Sequence, residues 1–298
     1  MGIIQYDVTP ASQFLFDEIS RSGPIPFRRF MEVALYHPEF GYYRRQRDPF
    51  GKEGDFYTAE QVQPVFGRLI SAIVRELCAE ARGNQVVELG AGRGEMAPFF
   101  DGMEYTGIDV GRGELPVGMR GVIFSNEFFD ALPVDVFVDG REQRVGFHDG
   151  RFVFSERGES IIERNPIALE WLERAANAME DGYILSIDYG YTERERTIRF
   201  PQGTLMSYRR HTASEDVLCD AGERDITAHV NFTELQQHGE SIGLETVRFE
   251  TLGQLLMRAG ERDQFASVTG TMEERMQLKT LLFGMGETFR VLLQRRRK

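Results

Sequence analysis

The feature that most constrains the fold is a glycine-rich loop directly after a short apolar strand. Residues 85–89 predict the strand, which carries an acid at Glu88 near its end. The loop places a glycine at every second position: Gly90, Gly92 and Gly94. A helix is predicted over 95–100. The order of strand, glycine turn and helix is how a doubly wound α/β fold opens its ligand crevice, and glycines let a ligand approach the backbone closely.

The chemistry around this loop indicates which ligand it suits. Its G-x-G-x-G spacing differs from the G-x-G-x-x-G spacing of dinucleotide-binding loops. Glu88 suits a ligand with an ammonium group rather than a pyrophosphate, and S-adenosylmethionine (SAM) has such a tail and no phosphate. Asp109 ends the next predicted strand, 105–110, where an acid of such folds binds ribose hydroxyls. The structural alternatives are a plain turn and a solvated acid at the sheet rim.

Composition excludes several classes of function. The net charge of −12 argues against a broad nucleic-acid-binding face, because phosphate neutralisation needs clustered Lys and Arg. Cys78 and Cys219 lie far apart and predict neither a disulfide framework nor a zinc site. No window is apolar enough to span a membrane. Acids at Asp7, Asp17 and Glu18 argue against an organelle transit peptide, so we expect a cytoplasmic protein.

Hydrophobic periodicity divides the chain into two regions. Residues 1–82 predict an N-terminal helical cap. Residues 83–298 alternate strands with helices, which predicts a mostly parallel α/β sheet. Insertions are expected near 134–160 and 191–231, and the first of them reads as β-hairpins with Asp-Gly turns.

Two acids follow another apolar strand, in the segment 125–133. Glu127 and Asp130 stand three residues apart, and one helical turn would place both on one side. Paired carboxylates bind a guanidinium bidentately. The alternative is structural: Ser125 or Asn126 caps a short helix, and the acids offset its dipole.

Further candidates follow a later strand and an irregular stretch. Asp188 and Tyr189 end the predicted strand 183–188, at the same rim of the sheet. His229 lies among acids and amides in the stretch 222–232. Irregular ordered segments commonly carry functional residues. The structural alternatives are a simple turn at Asp188 and Tyr189 and a structural role for His229.

The chain resembles the MidA-like family of SAM-dependent methyltransferases, which contains the mitochondrial complex I assembly arginine methyltransferase. The resemblance covers nearly the whole chain. It is carried by Phe30-Met31, Ala34-Leu35-Tyr36, His37-Pro38, Gly41-Tyr42-Tyr43, Gly54-Asp55-Phe56, Thr58, Phe66-Gly67, the ranges 88–94 and 125–134, Ile187-Asp188-Tyr189-Gly190, Gly203-Thr204-Leu205, Tyr208, His211, the range 225–230, and Phe232.

The resemblance implies a Rossmann-like class I methyltransferase sheet of seven strands, with an N-terminal helical cap and an inserted β-rich lobe. It implies SAM as cofactor and a protein arginine as substrate, with a respiratory complex subunit as one candidate. A homodimer is one candidate assembly, and the sequence does not give the oligomeric state. The cofactor-binding residues it implies are Gly54, Asp55, Thr58, Glu88, Gly90, Ala91, Gly92, Gly94, Asp109 and Asn126. The candidates for catalysis are Glu127, Asp130, Asp188 and His229.

One departure from the family leaves alternatives open. Only about ten residues separate Asp109 from the strand at Gly121, where a typical methyltransferase has a helix and a strand. Either the sheet lacks an edge strand or another segment covers the adenine side of the pocket. A non-catalytic assembly factor that keeps the fold is therefore an alternative to the enzyme. A dinucleotide oxidoreductase is a third, which the glycine spacing argues against.

Overall fold

The computed structural model describes residues 9–44, 64–261 and 263–297 of the chain. Its helices are α1 (Pro10–Ser22), α2 (Phe27–Tyr36), α3 (Pro64–Glu80), α4 (Pro166–Ala178), α5 (Glu193–Arg199), α6 (Phe232–Ser241), α7 (Leu252–Glu261) and α8 (Met272–Thr280). Its strands are β1 (Ile25–Pro26), β2 (Gln85–Leu89), β3 (Glu104–Ile108), β4 (Met119–Asn126), β5 (Asp135–Val138), β6 (Arg141–Glu142), β7 (Arg144–His148), β8 (Arg151–Phe154), β9 (Ile161–Arg164), β10 (Met179–Tyr191), β11 (Met206–Arg209), β12 (Thr212–Ser214), β13 (Asp225–Thr227), β14 (Val230–Asn231), β15 (Glu245–Thr251) and β16 (Phe289–Arg297).

These elements form two compact units, and each unit is built from separate stretches of chain. Among the described residues, the first unit contains 9–44, 131–167 and 194–229. The second contains 64–130, 168–193 and the described residues from 230 onward. The predicted division at residue 82 stays a prediction.

The second unit is organised around a sheet with the strand order β15-β16-β10-β4-β2-β3, and β14 pairs with the end of β10. Strands β3, β2, β4 and β10 run parallel, whereas β16 is antiparallel to both of its neighbours. The mostly parallel α/β sheet predicted from the sequence is thereby confirmed. The four parallel strands end at one edge, where ligands of such sheets bind.

The core of this unit lies between the sheet and helices such as α3. The apolar face of α3, with Phe66 and Val74, belongs to one buried cluster with Val122 of β4 and Leu185 of β10. Burial of such side chains is the main favourable contribution to folding.

The first unit contains three small sheets, β1-β7-β8, β6-β5-β9 and β12-β11-β13. The two Asp-Gly turns expected from the sequence are present. Asp139-Gly140 joins β5 to β6 and Asp149-Gly150 joins β7 to β8, and all four residues have positive φ, as a type I′ turn requires. Thr9 followed by Pro10 predicts a helix capped by Thr9. This cap of α1 is confirmed, because the Thr9 side chain accepts a hydrogen bond from the Ser12 N–H.

Two sequence predictions differ from the observed elements. The helix predicted over 95–100 is a four-residue 3-10 helix, Ala97–Phe100, because Pro98 supplies no N–H and the chain turns at Gly102 with φ +78°. The run of basic residues 295–298 predicts a solvated tail from sequence alone. Residues 295–297 instead belong to β16, where the Arg295 guanidinium donates a hydrogen bond to the Tyr183 hydroxyl at 2.5 Å.

Glycines allow the backbone of neighbouring strands to pack closely at the end of the sheet opposite the predicted site. A Cβ placed on Gly121 of β4 would lie 2.0 Å from the Gln85 carbonyl oxygen of β2. A Cβ on Gly182 of β10 would lie 2.1 Å from the Gly121 carbonyl oxygen. Backbone atoms cannot yield as a flexible side chain can, so these positions require glycine.

We predict that Gly121→Ala lowers the free energy of unfolding by about 2–3 kcal/mol, because the added methyl overlaps the backbone of β2. Gly118→Ala is the matched control, because a Cβ there meets nothing within 4 Å. Its cost is about 1 kcal/mol, from the positive φ of Gly118 alone. Urea unfolding of both variants measures the difference, and equal costs would contradict the close approach of the strands.

Candidate functional site

The glycine loop turns over the carboxyl ends of β2 and β3. The backbone N–H groups of Gly90 and Ala91 both donate to the Ile108 carbonyl, at 2.9 and 3.0 Å. All three loop glycines have positive φ: +76° at Gly90, +50° at Gly92 and +83° at Gly94. Because L-residues rarely adopt this region, the sequence folds into this turn only with glycine there.

Glu88 is buried beneath the loop, with 1% of its surface exposed. The Tyr105 hydroxyl of β3 donates to its Oε2 atom. The residue opposite Glu88 on β3 is Gly107, where a Cβ would lie 3.2 Å from the Tyr105 hydroxyl and 2.9 Å from the Ala91 Cβ. The missing side chain of Gly107 therefore makes room for the contact between tyrosine and acid.

Burial raises the pKa of Glu88 to about 7, and the nearby carboxylates of Glu95 and Asp109 add to the rise. The hydrogen bond from Tyr105 acts in the opposite direction, because it stabilises the charged form. A cation placed beside Glu88 would lower this pKa. The carboxyl is thus suited to receive a positively charged group.

Asp109 lies one residue beyond β3 and is tied to the glycine loop. Its Oδ2 atom accepts a hydrogen bond from the Gly92 N–H at 2.6 Å, and its Oδ1 atom accepts one from the Val110 N–H at 2.6 Å. Arg112 closes a tight turn with Asp109 and donates to the Gly92 carbonyl at 2.6 Å. The structure therefore brings the second acid predicted from the sequence beside the loop.

The loop after β4 is shaped by Asp188, which is fully buried at the neighbouring end of β10. One oxygen of Asp188 accepts from the backbone N–H groups of Phe128, Phe129 and Asp130, at 3.2, 2.9 and 3.3 Å. The other accepts from the Tyr189 N–H at 2.9 Å. Both oxygens are thus used to hold backbone.

Glu127 stands at the start of this loop with φ +52°. A helical turn over 127–130, which would have placed Glu127 and Asp130 on one side, is not formed. A left-handed backbone at a glutamate costs on the order of 1–2 kcal/mol and persists only where surrounding contacts enforce it. The N–H of Glu127 donates to the Ile187 carbonyl at 3.1 Å, and Asp188 holds the next three residues.

The loop after β4 also touches the glycine loop. A Cβ added to Gly90 would lie 3.0 Å from the Phe128 ring, so the ring rests on the glycine backbone. Phe128 in turn packs edge-to-face on Trp171 of α4, with ring centroids 5.4 Å apart. Neither Phe128 nor Tyr105 was identified from the sequence as a site residue. The alternation of side chains between the two faces of β3 was the only sequence feature that could have pointed to Tyr105.

Burial raises the pKa of Asp188 to about 8, and the Glu127 carboxylate adds to the rise. The backbone N–H groups of Phe129, Asp130 and Tyr189 act against this shift, because they stabilise the carboxylate. The Glu127 carboxylate at the end of β4 therefore disfavours the charged form of Asp188 at the end of β10.

The remaining predicted residues fall elsewhere. His229 belongs to the first unit, where its backbone N–H donates to the Thr204 hydroxyl and its ring meets Phe200 edge-on. Burial lowers its pKa to about 4, and the Arg199 charge adds to the fall, so the imidazole is neutral near pH 7. Gly54, Asp55 and Thr58 lie outside the described residues.

The donor set fits a ligand with an ammonium, hydroxyls and no phosphate. Asn126 is buried at the end of β4, its amide N–H donates to Glu127 at 3.2 Å, and its Oδ1 atom has no hydrogen-bond partner among the described residues. A buried acceptor without a partner costs free energy that a bound donor would recover. The Asn126 Oδ1 atom, Glu88 and Asp109 are thus three hydrogen-bond acceptors at one edge of the sheet, available to a cation and to hydroxyl groups.

Two other classes of site are absent from the described residues. Over 9–44, 64–261 and 263–297, no group of three or more His, Cys, Asp and Glu side chains is placed to hold a metal ion. Within the same ranges, no helix has both the length and the apolar character needed to cross a membrane.

Comparisons with known proteins agree on the class. Residues 151–250 match a family described as "Putative S-adenosyl-L-methionine-dependent methyltransferase". The mouse protein named protein arginine methyltransferase NDUFAF7, mitochondrial, is 38% identical over 77% of this chain and 70% of its own. The cattle protein of that name is 37% identical over 77% and 69%. A crystal structure from Burkholderia thailandensis, bound to S-adenosyl-homocysteine (SAH), superposes with a TM-score of 0.87 at 26% identity, over 96% of this chain and 92% of that one.

The relatives correct one expectation. They are mitochondrial proteins by name, so the prediction of a cytoplasmic protein is wrong. That prediction rested on Asp7, Asp17 and Glu18, and a few acidic side chains are a poor guide to compartment.

We predict a pH-dependent stability difference between Glu88→Gln and the wild type. The pKa of Glu88 in the folded protein is about 7, above the ordinary 4.5, so the folded state favours the protonated, neutral side chain. The stability that this preference contributes is fully present below pH 4.5 and is lost as the pH rises through 7. Glutamine stays neutral. Its advantage in unfolding free energy should therefore grow by on the order of 2 kcal/mol between pH 5 and pH 8.

Urea unfolding at several pH values measures this difference. Glu104→Gln is the control, because Glu104 is exposed on β3. A Glu88→Gln advantage that does not change with pH would contradict the raised pKa.

Proposed function

The chain belongs to the MidA-like family of SAM-dependent methyltransferases, to which NDUFAF7 also belongs, and on that premise we propose that it methylates a nitrogen of a protein arginine. Its cofactor is SAM. The choice of arginine as the methyl acceptor rests on Glu127, a glutamate whose backbone is held in a strained conformation beside the glycine loop. The relatives' name, protein arginine methyltransferase, supports the same acceptor.

Four elements of the site are proposed to hold the cofactor. Glu88 receives the ammonium group, and the loop 90–94 gives the amino-acid tail close access to backbone. Asp109 accepts the ribose hydroxyls, and the unpartnered Oδ1 atom of Asn126 accepts a further donor. SAM supplies a methyl group already activated on a sulfonium, so the protein's part is to bind and align the reactants.

Glu127 is proposed to bind and orient the guanidinium of the acceptor. A carboxylate accepts two N–H bonds of a guanidinium side by side, which fixes the plane of the group. Asn126 donates to the Glu127 carboxylate at 3.2 Å and so limits its orientation. Asp130 is buried at the end of the same loop. The protein's net charge of −12 favours the approach of a cationic peptide.

The contacts of Asp188 favour a different role from the catalytic one expected from the sequence. It was a candidate for catalysis, but its side chain is fully buried and its two oxygens accept hydrogen bonds from four backbone N–H groups. We therefore assign it as a positioning residue that holds the loop carrying Glu127. His229, neutral and packed within the first unit, stays a candidate of lower rank.

The non-catalytic assembly factor was the alternative drawn from the shortened connection after Asp109. The hydrogen bond between the glycine loop and Asp109 and the burial of Glu88 support a cofactor site, and the relatives are named as methyltransferases. These observations favour the enzyme. A respiratory complex subunit as substrate and a homodimer remain predictions from the resemblance.

We predict that Glu127→Gln lowers methyl transfer by about 100-fold or more, because the neutral amide no longer orients a guanidinium. SAH binding, measured by calorimetry, should stay within about threefold of wild type. The assay transfers labelled methyl groups from SAM into a cell extract, followed by mass spectrometry of the labelled band for methylarginine.

Glu104→Gln, on the exposed face of β3, is the matched control and should transfer at the wild-type rate. The acceptor assignment fails if Glu127→Gln turns over normally, or if the label resides on a residue other than arginine.

We also predict that Asp188→Asn reduces kcat by roughly tenfold and leaves SAH affinity nearly unchanged, because one amide N–H then faces backbone N–H donors and loosens the loop. If Asp188 acts through Glu127, the double variant with Glu127→Gln is no slower than Glu127→Gln alone. Additive losses in the double variant would show that Asp188 acts independently.

A further inference from the structure

Tyr105 of β3 reaches across to the neighbouring strand β2 to contact Glu88. In the parallel register of the two strands, Tyr105 lies opposite Val86. Glu88 lies opposite Gly107, two residues farther along both strands. A Cβ at position 107 would stand 3.2 Å from the tyrosine hydroxyl and would crowd this contact. Glycine at position 107 therefore leaves room for the hydroxyl to donate to the Glu88 Oε2 atom.

The ring of Tyr105 is held by packing as well as by this hydrogen bond. It stacks on the ring of Phe100, with centroids 5.6 Å apart and planes inclined by 11°. Phe100 is buried in the core of the second unit. A phenylalanine at position 105 would keep the stacking and lose the hydroxyl, so one substitution separates the two contributions.

The groups around Glu88 explain why one hydroxyl matters there. Burial raises the pKa of Glu88 most, and the carboxylates of Glu95 and Asp109 raise it further. The Tyr105 hydroxyl lowers this pKa, and the Arg112 guanidinium lowers it by less. The residue of β4 paired with Glu88 is a phenylalanine, which carries no charge. The tyrosine is therefore the strongest described influence that favours the carboxylate.

We propose that Tyr105 is a positioning residue for the cofactor: its hydroxyl binds one oxygen of Glu88 and so stabilises the charged carboxylate that receives the ammonium group of SAM near neutral pH. This inference rests on the assignment of Glu88 in the proposed function. Without the hydroxyl, burial would keep Glu88 protonated over a wider range of pH, and a neutral carboxyl attracts an ammonium group much less. Tyr105 thus sets the lower limit of the pH range in which the site binds its cofactor strongly.

Calorimetry with the full chain and SAH tests this in Tyr105→Phe. We expect SAH to bind the variant about fivefold more weakly than the wild type at pH 7, because the higher pKa of Glu88 leaves fewer carboxyls charged. At pH 9 Glu88 is largely ionised in both proteins, and the affinities should agree within about twofold. The amino group of free SAH titrates equally in both measurements, so its ionisation cancels in the ratio of affinities.

The protons released on binding provide a second measurement. With a pKa of about 7, Glu88 is about half protonated in the free protein at pH 7, so SAH should displace about half a proton. Tyr105→Phe should release more, because more of its Glu88 starts protonated. Calorimetry in two buffers of different ionisation enthalpy measures this number, which a general loosening of the pocket would not raise.

Tyr183→Phe is the matched control. The Tyr183 hydroxyl also donates to a glutamate, Glu80, at 2.7 Å, but Tyr183 lies in the first half of β10, away from the strand ends that form the site. This substitution should leave both the SAH affinity and the number of released protons at their wild-type values.

The outcomes separate this inference from the proposed function. The inference is overturned if Tyr105→Phe binds SAH as tightly as the wild type at pH 7, because the hydroxyl is then dispensable. It is also overturned if the loss of affinity is equal at pH 7 and pH 9, because the tyrosine then acts on the shape of the pocket and not on the charge of Glu88. If SAH does not bind the wild type at millimolar concentration, the proposed cofactor site fails instead.

Discussion

Parallel strands β2, β3, β4 and β10 all end at the same edge of the central sheet, and this constraint positions the whole candidate site. The glycine loop follows β2, Asp109 follows β3, Glu127 follows β4, and Asp188 is near the end of β10. Hydrogen bonds then join neighbouring ends: Asp109 to the Gly92 N–H, and Asp188 to the loop after β4. Acids far apart in sequence are thereby concentrated in one place, where burial and mutual repulsion raise the pKa of Glu88 and Asp188.

Concentrating negative charge in this way is unfavourable for the protein alone. A buried carboxyl with a raised pKa and a glutamate with positive φ each reduce stability. Such features are common where a protein binds a ligand of complementary charge. SAM and a guanidinium are both cationic, so the binding of either would offset part of this cost. The concentration of acids at this edge of the sheet thus matches the charge of the cofactor.

Those parts of the fold and of the candidate site that depend on neighbouring residues could be predicted from the sequence. The glycine loop, the Asp-Gly hairpins and the Thr9 cap depend on neighbouring residues, and each is present as expected. The contacts of Asp188 could not be predicted, because they join residues about sixty positions apart. The left-handed conformation of Glu127 was missed for the same reason: local preference favours a helical turn at 127–130, and long-range hydrogen bonds override it. The short connection after Asp109 was visible as a matter of length, and β3 is indeed at the sheet edge.

The most direct measurement is a crystal structure of the protein with SAH. We expect the amino group of SAH to lie within hydrogen-bond distance of Glu88, its ribose hydroxyls within reach of Asp109, and its tail along the loop 90–94. The sulfur should then face the loop that begins at Glu127. SAH bound away from the ends of β2 and β3, or bound with its ribose remote from Asp109, would contradict the assignment of the site.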